Sequence, residues 1–147
     1  VRKIEAIKSG TPSMDECDVV VPVTKIPDYV MFADELAKNY DFKLQYFGHA
    51  GDGNLHIYTC SNDMDREEFL RQVDDFMGKL YTKTMELGGQ ISGEHGIGLS
   101  KRPYFLRQTA KENLQAMNAI KTALDPQHIL NNGKSYLTGG NNNAGTF

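Results

Sequence analysis

Two short glycine-rich windows contain the side chains best suited to chemistry. The first window reads Gly48-His-Ala-Gly-Asp-Gly-Asn-Leu-His56, and the second reads Gly93-Glu-His-Gly-Ile-Gly98. Glycine lets the backbone turn sharply and lets another group approach it closely, while histidine supplies a nitrogen ligand or a proton carrier near neutral pH. The two residue types together predict a functional site more strongly than either type alone.

The turn residues Gly51-Asp-Gly53, flanked by two alternating segments, predict a β-hairpin in the first window. Alternation places His49 and His56 on one face of the hairpin, nearly opposite each other, where paired Cβ atoms lie about 4.5–5.5 Å apart. Two imidazoles at that spacing can share one divalent ion, and Glu94 is a candidate third ligand through oxygen. Two histidines and one carboxylate with open coordination positions are typical of a catalytic metal site.

Each of these residues also has a purely structural interpretation. A histidine on a sheet face is most often solvated, the glycines can be hairpin and helix-cap residues, and Glu94 can simply face solvent.

The sequence argues against two other kinds of site, a dinucleotide-binding site and a serine hydrolase site. The second window has the reverse glycine order of the dinucleotide fingerprint, with Pro103 where the crossover helix should run, and Ser92 and Ser100 lack the context of a hydrolase nucleophile.

The surrounding sequence predicts an α+β fold that positions the two windows. The predicted elements, in chain order, are a loop at 9–16, a strand at 19–23, a helix from Ile26 to about Tyr40, the hairpin, a helix at 66–87 ended by Gly88-Gly89, a short strand at 90–92, and a helix opened by a capping box at Thr109–Glu112. The order β-α-β-β-α-β is the ferredoxin-like arrangement, an antiparallel sheet with helices on one face, here with an added C-terminal helix.

Composition limits the classes of partner. The chain has 147 residues, 39% hydrophobic and 24% charged, which is typical of one globular domain. The net charge is −3 and the longest basic run is Lys101-Arg102, so we expect no nucleic-acid partner. No apolar stretch approaches the roughly 20 residues of a membrane span. Cys17 and Cys60 are far apart and form no metal-binding pair, which favours reduced thiols in the cytoplasm.

The ends of the chain suggest a piece of a longer protein. The sequence starts at Val1 rather than at methionine and opens in charged residues without a signal-peptide pattern. We assign residues 1–137 to one domain and expect the polar, glycine- and asparagine-rich tail at 138–147 to be disordered.

The motifs together resemble the C-terminal domain of FAD-linked oxidases, a family that includes the glycolate oxidase D subunit, D-lactate dehydrogenases and D-2-hydroxyglutarate dehydrogenase. The resemblance is carried by the two windows, by Leu124-Asp-Pro-Gln-His-Ile-Leu-Asn131, and by Asp18-Val-Val-Val-Pro22, which is similar to the family's DxxVP strand. It spans roughly residues 1–137. One departure is Asn132, which stands where the family's closing NPGK motif has proline.

This resemblance implies that FAD is bound by an N-terminal domain that the present chain lacks. It also implies that the C-terminal domain, which the present chain resembles, covers the flavin and supplies much of the substrate site. The implied site residues are His49, His56 and Glu94 as ligands of a divalent ion (zinc, manganese or iron), His95 as the base beside the flavin, Asn54 and Asn131 as cofactor contacts, and Arg2 as the contact to the substrate carboxylate.

The implied reaction is oxidation of a small 2-hydroxy acid to a 2-oxo acid. Relatives specific for dicarboxylates carry a lysine just before the DxxVP aspartate, whereas Glu16 and Cys17 stand there in this chain, which favours a monocarboxylate such as glycolate or lactate. An electron-acceptor subunit is a further implied partner. Two alternatives stay open: a non-enzymatic ferredoxin-like module that binds a metal or a small ligand, and a stand-alone metallohydrolase.

Overall fold

The computed structural model describes residues 12–134, and the chain divides into two compact units that meet in sequence between His95 and Gly96. The first unit contains β1 (Ser13–Val20), α1 (Ile26–Ala37), β2 (Lys43–His49), β3 (Asn54–Ser61) and α2 (Arg66–Glu86). The second unit contains α3 (Arg102–Gln108) and α4 (Lys111–Leu124). Arg2 and the tail at 138–147 lie outside the described residues.

The first unit is built on a three-stranded antiparallel sheet with the order β1-β3-β2. This confirms the predicted α+β class and the β2–β3 hairpin, whose connection ends at Gly53 in the left-handed conformation. The predicted fourth strand at 90–92 is reduced to one antiparallel bridge, in which Gln90 exchanges two backbone hydrogen bonds with Val20. Because glycines bound this segment on both sides, it is too short to extend a ladder.

Strand β1 begins at Ser13, inside the segment that the sequence predicts to be a loop. The strand pairs with β3 along its whole length, from Ser13 opposite Ser61 to Val20 opposite Asn54. Its polar start reflects alternation, because even-numbered side chains from Met14 onward point away from the helices while Cys17 and Val19 point toward them. A strand with one polar face therefore has a composition similar to that of a loop, and the predicted loop at 9–16 is wrong from Ser13 onward.

Helices α1 and α2 cover the sheet face toward which Cys17 and Val19 point, and they enclose an apolar core there. Val19, Leu55 and Ile57 are buried beneath them, and the Tyr29 hydroxyl of α1 donates a hydrogen bond to the carbonyl oxygen of Leu80 in α2 at 3.1 Å. Burial raises the pKa of Tyr29.

Helix α2 confirms the strongest sequence prediction. It starts after the N-cap Asp65, whose carboxylate accepts a hydrogen bond from a backbone amide, and it ends where Gly88 adopts a φ of 77°.

In the second unit, the predicted capping box is wrong. Helix α4 has Ala110 as its N-cap, without a side-chain hydrogen bond, and Thr109 instead forms the C-cap of α3, a helix that the sequence does not predict. The Thr109 backbone amide, which a capping box would pair with the side chain of Glu112, donates instead to the Phe105 carbonyl at 3.1 Å. Among residues 12–134, no helix is both long and apolar enough to span a bilayer.

Candidate metal and proton-transfer site

The side of the sheet away from α1 and α2, which we call the polar face, carries five side chains of the candidate site and its support. They are Glu16 and Asp18 of β1, His49 at the end of β2, and Asn54 and His56 of β3. Asp18, Asn54 and His56 are buried, with exposures of 1%, 5% and 7%. Buried polar groups are costly unless they are hydrogen-bonded, so the partners of these side chains determine what the face can do.

Asp18 holds the segment 92–95, which we call the site loop. One carboxylate oxygen, Oδ2, accepts from the Ser92 hydroxyl at 3.2 Å and from the backbone amides of residues 93, 94 and 95 at 3.0, 3.0 and 2.8 Å. The other oxygen accepts from Asn54 Nδ2 at 2.8 Å. Hydrogen bonds to a charged acceptor are roughly twice as strong as neutral ones. A single strand residue therefore fixes the loop that carries Glu94 and His95.

Gly93 explains why the site loop can approach the sheet so closely. A Cβ atom at this position would lie 1.8 Å from Asn54 Nδ2 and 2.7 Å from Asp18 Oδ1. No side chain fits in that space, so the close approach of loop and sheet requires glycine here.

The structure brings the three predicted metal ligands together. Glu94 Oε1 lies 2.9 Å from His56 Nε2 and 3.6 Å from His49 Nε2, and the three residues each offer one ligand atom within 4.8 Å of the others. The register differs from the prediction, because His49 pairs with Asn54 and His56 pairs with Phe47. The two histidines are thus diagonal neighbours, with ring centroids 6.2 Å apart, and diagonal neighbours on one face remain within reach.

This donor set fits a divalent transition ion. Two ligands that are each about 2.1 Å from one ion lie about 3.0–3.5 Å apart, and the two distances to Glu94 Oε1 bracket that range. Two imidazole nitrogens and one carboxylate oxygen suit zinc, manganese and iron. Side chains of His49 and Glu94 are 64% and 50% exposed, whereas that of His56 is 9% exposed, so the ligand group is anchored on one side and accessible on the other.

A second carboxylate, Glu16, joins His56 to His95. Glu16 Oε1 lies 2.7 Å from His56 Nδ1 and 3.3 Å from His95 Nδ1, and the two imidazole rings have centroids 4.7 Å apart. Glu16, His56 and His95 also form a group that could itself hold a metal ion. Burial together with the Glu16 carboxylate raises the pKa of Tyr58 to about 12.

Sequence reasoning from the chemical motifs missed both Glu16 and Asp18 as parts of the site. The sequence contains part of the information needed to place them, because Glu16 and Asp18 alternate along one strand and so lie on one face, which the pairing shows to be that of His56. Recognising it requires the register between β1 and β3, which motif spacing does not provide.

The two predicted cofactor contacts fall in different units. Asn54 is buried, and its Oδ1 atom finds no hydrogen-bond partner in the described part of the chain. An orphaned buried acceptor fits a donor supplied from outside this domain. Asn131 belongs to the second unit, where it adopts a φ of 49° and its Oδ1 accepts from Lys134 Nζ at 3.3 Å. The role of Asn131, like that of Arg2, stays a prediction.

The chain belongs to the family described as FAD linked oxidases, C-terminal domain, whose sequence model matches residues 3–135. The family predicted from the two windows is therefore confirmed. Among its relatives, the chain is 50% identical over 131 residues to a D-lactate dehydrogenase of Anaerostipes hadrus, a match that covers 89% of this chain and 28% of the relative.

Two further relatives carry related names. The chain is 42% identical to the glycolate oxidase subunit GlcD of Bacillus subtilis over 81% of this chain and 25% of that protein. It is 33% identical to a D-2-hydroxyglutarate dehydrogenase of Stutzerimonas stutzeri over 90% of this chain and 29% of that protein. The chain thus spans less than a third of the length of each of these curated relatives.

Proposed function

We propose that this domain supplies the metal site, much of the substrate site and the catalytic base of a FAD-dependent oxidoreductase that converts a small 2-hydroxy acid of the glycolate or lactate type into its 2-oxo acid. The observation that carries the proposal is the convergence of His49, His56 and Glu94 beside His95. The names of the relatives support the substrate class. In this proposal, FAD is bound mainly by an N-terminal domain of the same protein. The protein acts in the cytoplasm and passes electrons from the flavin to an acceptor such as a separate subunit.

His49, His56 and Glu94 would hold a divalent ion, and His95 would serve as the base. Such an ion would supply Lewis-acid chemistry, which lowers the pKa of a substrate hydroxyl. His95 has Nδ1 directed at Glu16, which leaves Nε2 to accept the hydroxyl proton. General-base catalysis of this kind contributes about 10²–10⁴-fold.

The remaining contacts position cofactor and substrate. The Oδ1 atom of Asn54, which lacks a hydrogen-bond partner in the described residues, could accept a hydrogen bond from the flavin. The flavin, when bound, would supply the hydride-accepting chemistry. Asn131 is a second proposed cofactor contact, and Arg2 is the proposed contact to the substrate carboxylate. Because the flavin domain is not in this chain, we expect the chain alone to bind FAD weakly and to turn over neither acid.

The test uses the full-length protein with its flavin domain. We expect the double variant His49→Ala/His56→Ala to lose its divalent metal, measured by elemental analysis, while it retains FAD. Its oxidation of D-lactate and glycolate, followed with an artificial electron acceptor, should slow by at least about 100-fold, because removing a group that acts in the transition state costs several kcal/mol.

The matched control is His128→Asn. His128 lies in the second unit with a φ of 52°, a conformation that asparagine tolerates, so this variant should keep metal, FAD and activity. An unchanged metal content in the double variant would remove His49 and His56 from the ligand set. A full-length protein that binds no FAD and oxidises neither acid would instead favour the non-enzymatic module.

A further inference from the structure

We propose that Glu16 is a positioning residue whose single carboxylate orients both the metal ligand His56 and the base His95. This inference rests on the proposed function and extends it to a β1 residue outside the two glycine-rich windows. Its basis is one oxygen atom, Oε1, that reaches Nδ1 of each of the two rings.

The contacts favour one tautomer for each ring. An ionised carboxylate only accepts hydrogen bonds, so His56 donates from Nδ1 to Glu16, and Nδ1 of His95 faces the same oxygen at 3.3 Å. In that tautomer His56 Nε2 would offer its lone pair to a metal ion, and this is the nitrogen that lies 2.9 Å from Glu94 within the proposed ligand group. His95 Nε2 is likewise left free to accept a proton. One acceptor therefore sets both rings in the state that their roles require.

Glu16 is itself held in place by the sheet. It pairs directly with Tyr58 across β1 and β3, and the buried Tyr58 side chain lies beside the Glu16 carboxylate on the polar face. The Glu16 side chain is 24% exposed, so solvent competes only in part for its oxygens. A carboxylate fixed by strand register is a rigid acceptor, as expected of a residue that orients other groups.

The arrangement couples metal binding to proton transfer. Carboxylates that hydrogen-bond a metal-bound histidine typically change metal affinity or activity by about 10–100-fold when they are removed. Because Glu16 contacts both rings, its removal should lower the affinity of the metal site and slow proton abstraction together, whereas a residue that merely supports the fold would lower neither at a temperature where the protein is folded.

The experiment compares Glu16→Ala and Glu16→Gln in the full-length flavoprotein, with Asp15→Asn as the matched control. Asp15 is the neighbouring carboxylate; it is exposed, and in the described residues its side chain accepts only from the Glu16 amide. The measurements are Zn²⁺ affinity by chelator competition, kcat and KM for D-lactate, and the solvent deuterium isotope effect on kcat. Retained FAD absorbance and circular dichroism establish folding.

We expect Glu16→Ala to lower Zn²⁺ affinity and kcat each by about 10–100-fold, with a smaller change in KM and a larger solvent isotope effect. Glu16→Gln keeps an acceptor oxygen without the charge, so its losses should be about tenfold or less. If Glu16→Ala does not fold, Glu16→Gln decides the question. The inference is overturned if the folded variants stay within twofold of wild type while His49→Ala/His56→Ala loses its metal. If that double variant keeps its metal, the proposed function fails instead.

Discussion

Both faces of the sheet bury strand residues, but the buried side chains make different kinds of contact. Val19 and Asp18 are neighbours in β1 with exposures of 0% and 1%, yet Val19 packs beneath the helices while Asp18 accepts hydrogen bonds from the site loop. Burial itself therefore does not distinguish core from site in this domain. The distinction lies in whether the contacts are directional.

The difference matters because directional contacts tie distant parts of the chain to one geometry. On the helix-covered face, Ile57 and its neighbours contribute apolar area, and small shifts cost little if the volume stays filled. On the polar face, Asp18 bonds to a residue 76 positions away, Glu94, and the bond fails when either group moves. Substitutions on the two faces should therefore affect different measurable quantities.

The largest expected effect belongs to His95. His95→Gln should lower kcat for D-lactate, a proposed substrate, by about 10²–10⁴-fold, because glutamine cannot take up the proton that the proposed base accepts. The free energy of unfolding should change by no more than about 0.5 kcal/mol, since the His95 side chain is 44% exposed. Steady-state kinetics and urea denaturation measure the two quantities. A kcat within threefold of wild type would remove His95 from the role of base.

An intermediate effect is expected at Asp18, where both quantities should change. Asp18→Asn keeps the shape but weakens the charge-assisted bonds to the site loop, which should lower the free energy of unfolding by about 2–4 kcal/mol. Turnover should also fall, because Glu94 and His95 lose their common anchor. The exposed Asp15→Asn serves as control, and an Asp18→Asn variant with normal stability and normal kcat would contradict this account of the loop.

The smallest expected effect is on the helix-covered face. Ile57 is fully buried there, and Ile57→Val should lower the free energy of unfolding by about 0.5–1.5 kcal/mol through the loss of one methylene group. We expect kcat and KM to stay unchanged at 25 °C, because Ile57 points away from the site. A loss of turnover that exceeds about twofold in this variant would show that the two faces are not independent.

The sequence predicts most of the first unit and the residues of the ligand group, for identifiable reasons. Alternation in the hairpin places His49 and His56 on one face, and the structure agrees, although their register is diagonal. The helical period at 66–87 is long and is ended by glycine, which makes α2 the clearest prediction. These signals are local, so they survive without knowledge of the fold.

What sequence reasoning missed depends on contacts between distant segments. Glu16 falls in a segment predicted to be a loop, and Asp18 had no predicted role in the site; their contacts to β3 and the site loop exist only in the folded chain. Thr109 has the spacing of a capping box, but the short α3 before it uses that position as its end. Spacing alone cannot show which of two adjacent helices a capping residue serves.

The fit of Gly93 against the sheet has a consequence for mutational tolerance. An added Cβ atom would collide there with Asn54 and Asp18, whereas one at Gly51 would meet nothing within 4 Å. In a library that samples every amino acid at both glycines, selection for growth on the hydroxy acid should leave position 93 almost invariant and position 51 far more diverse. Two glycines from neighbouring motifs thus differ sharply in how freely descendants of this sequence can replace them.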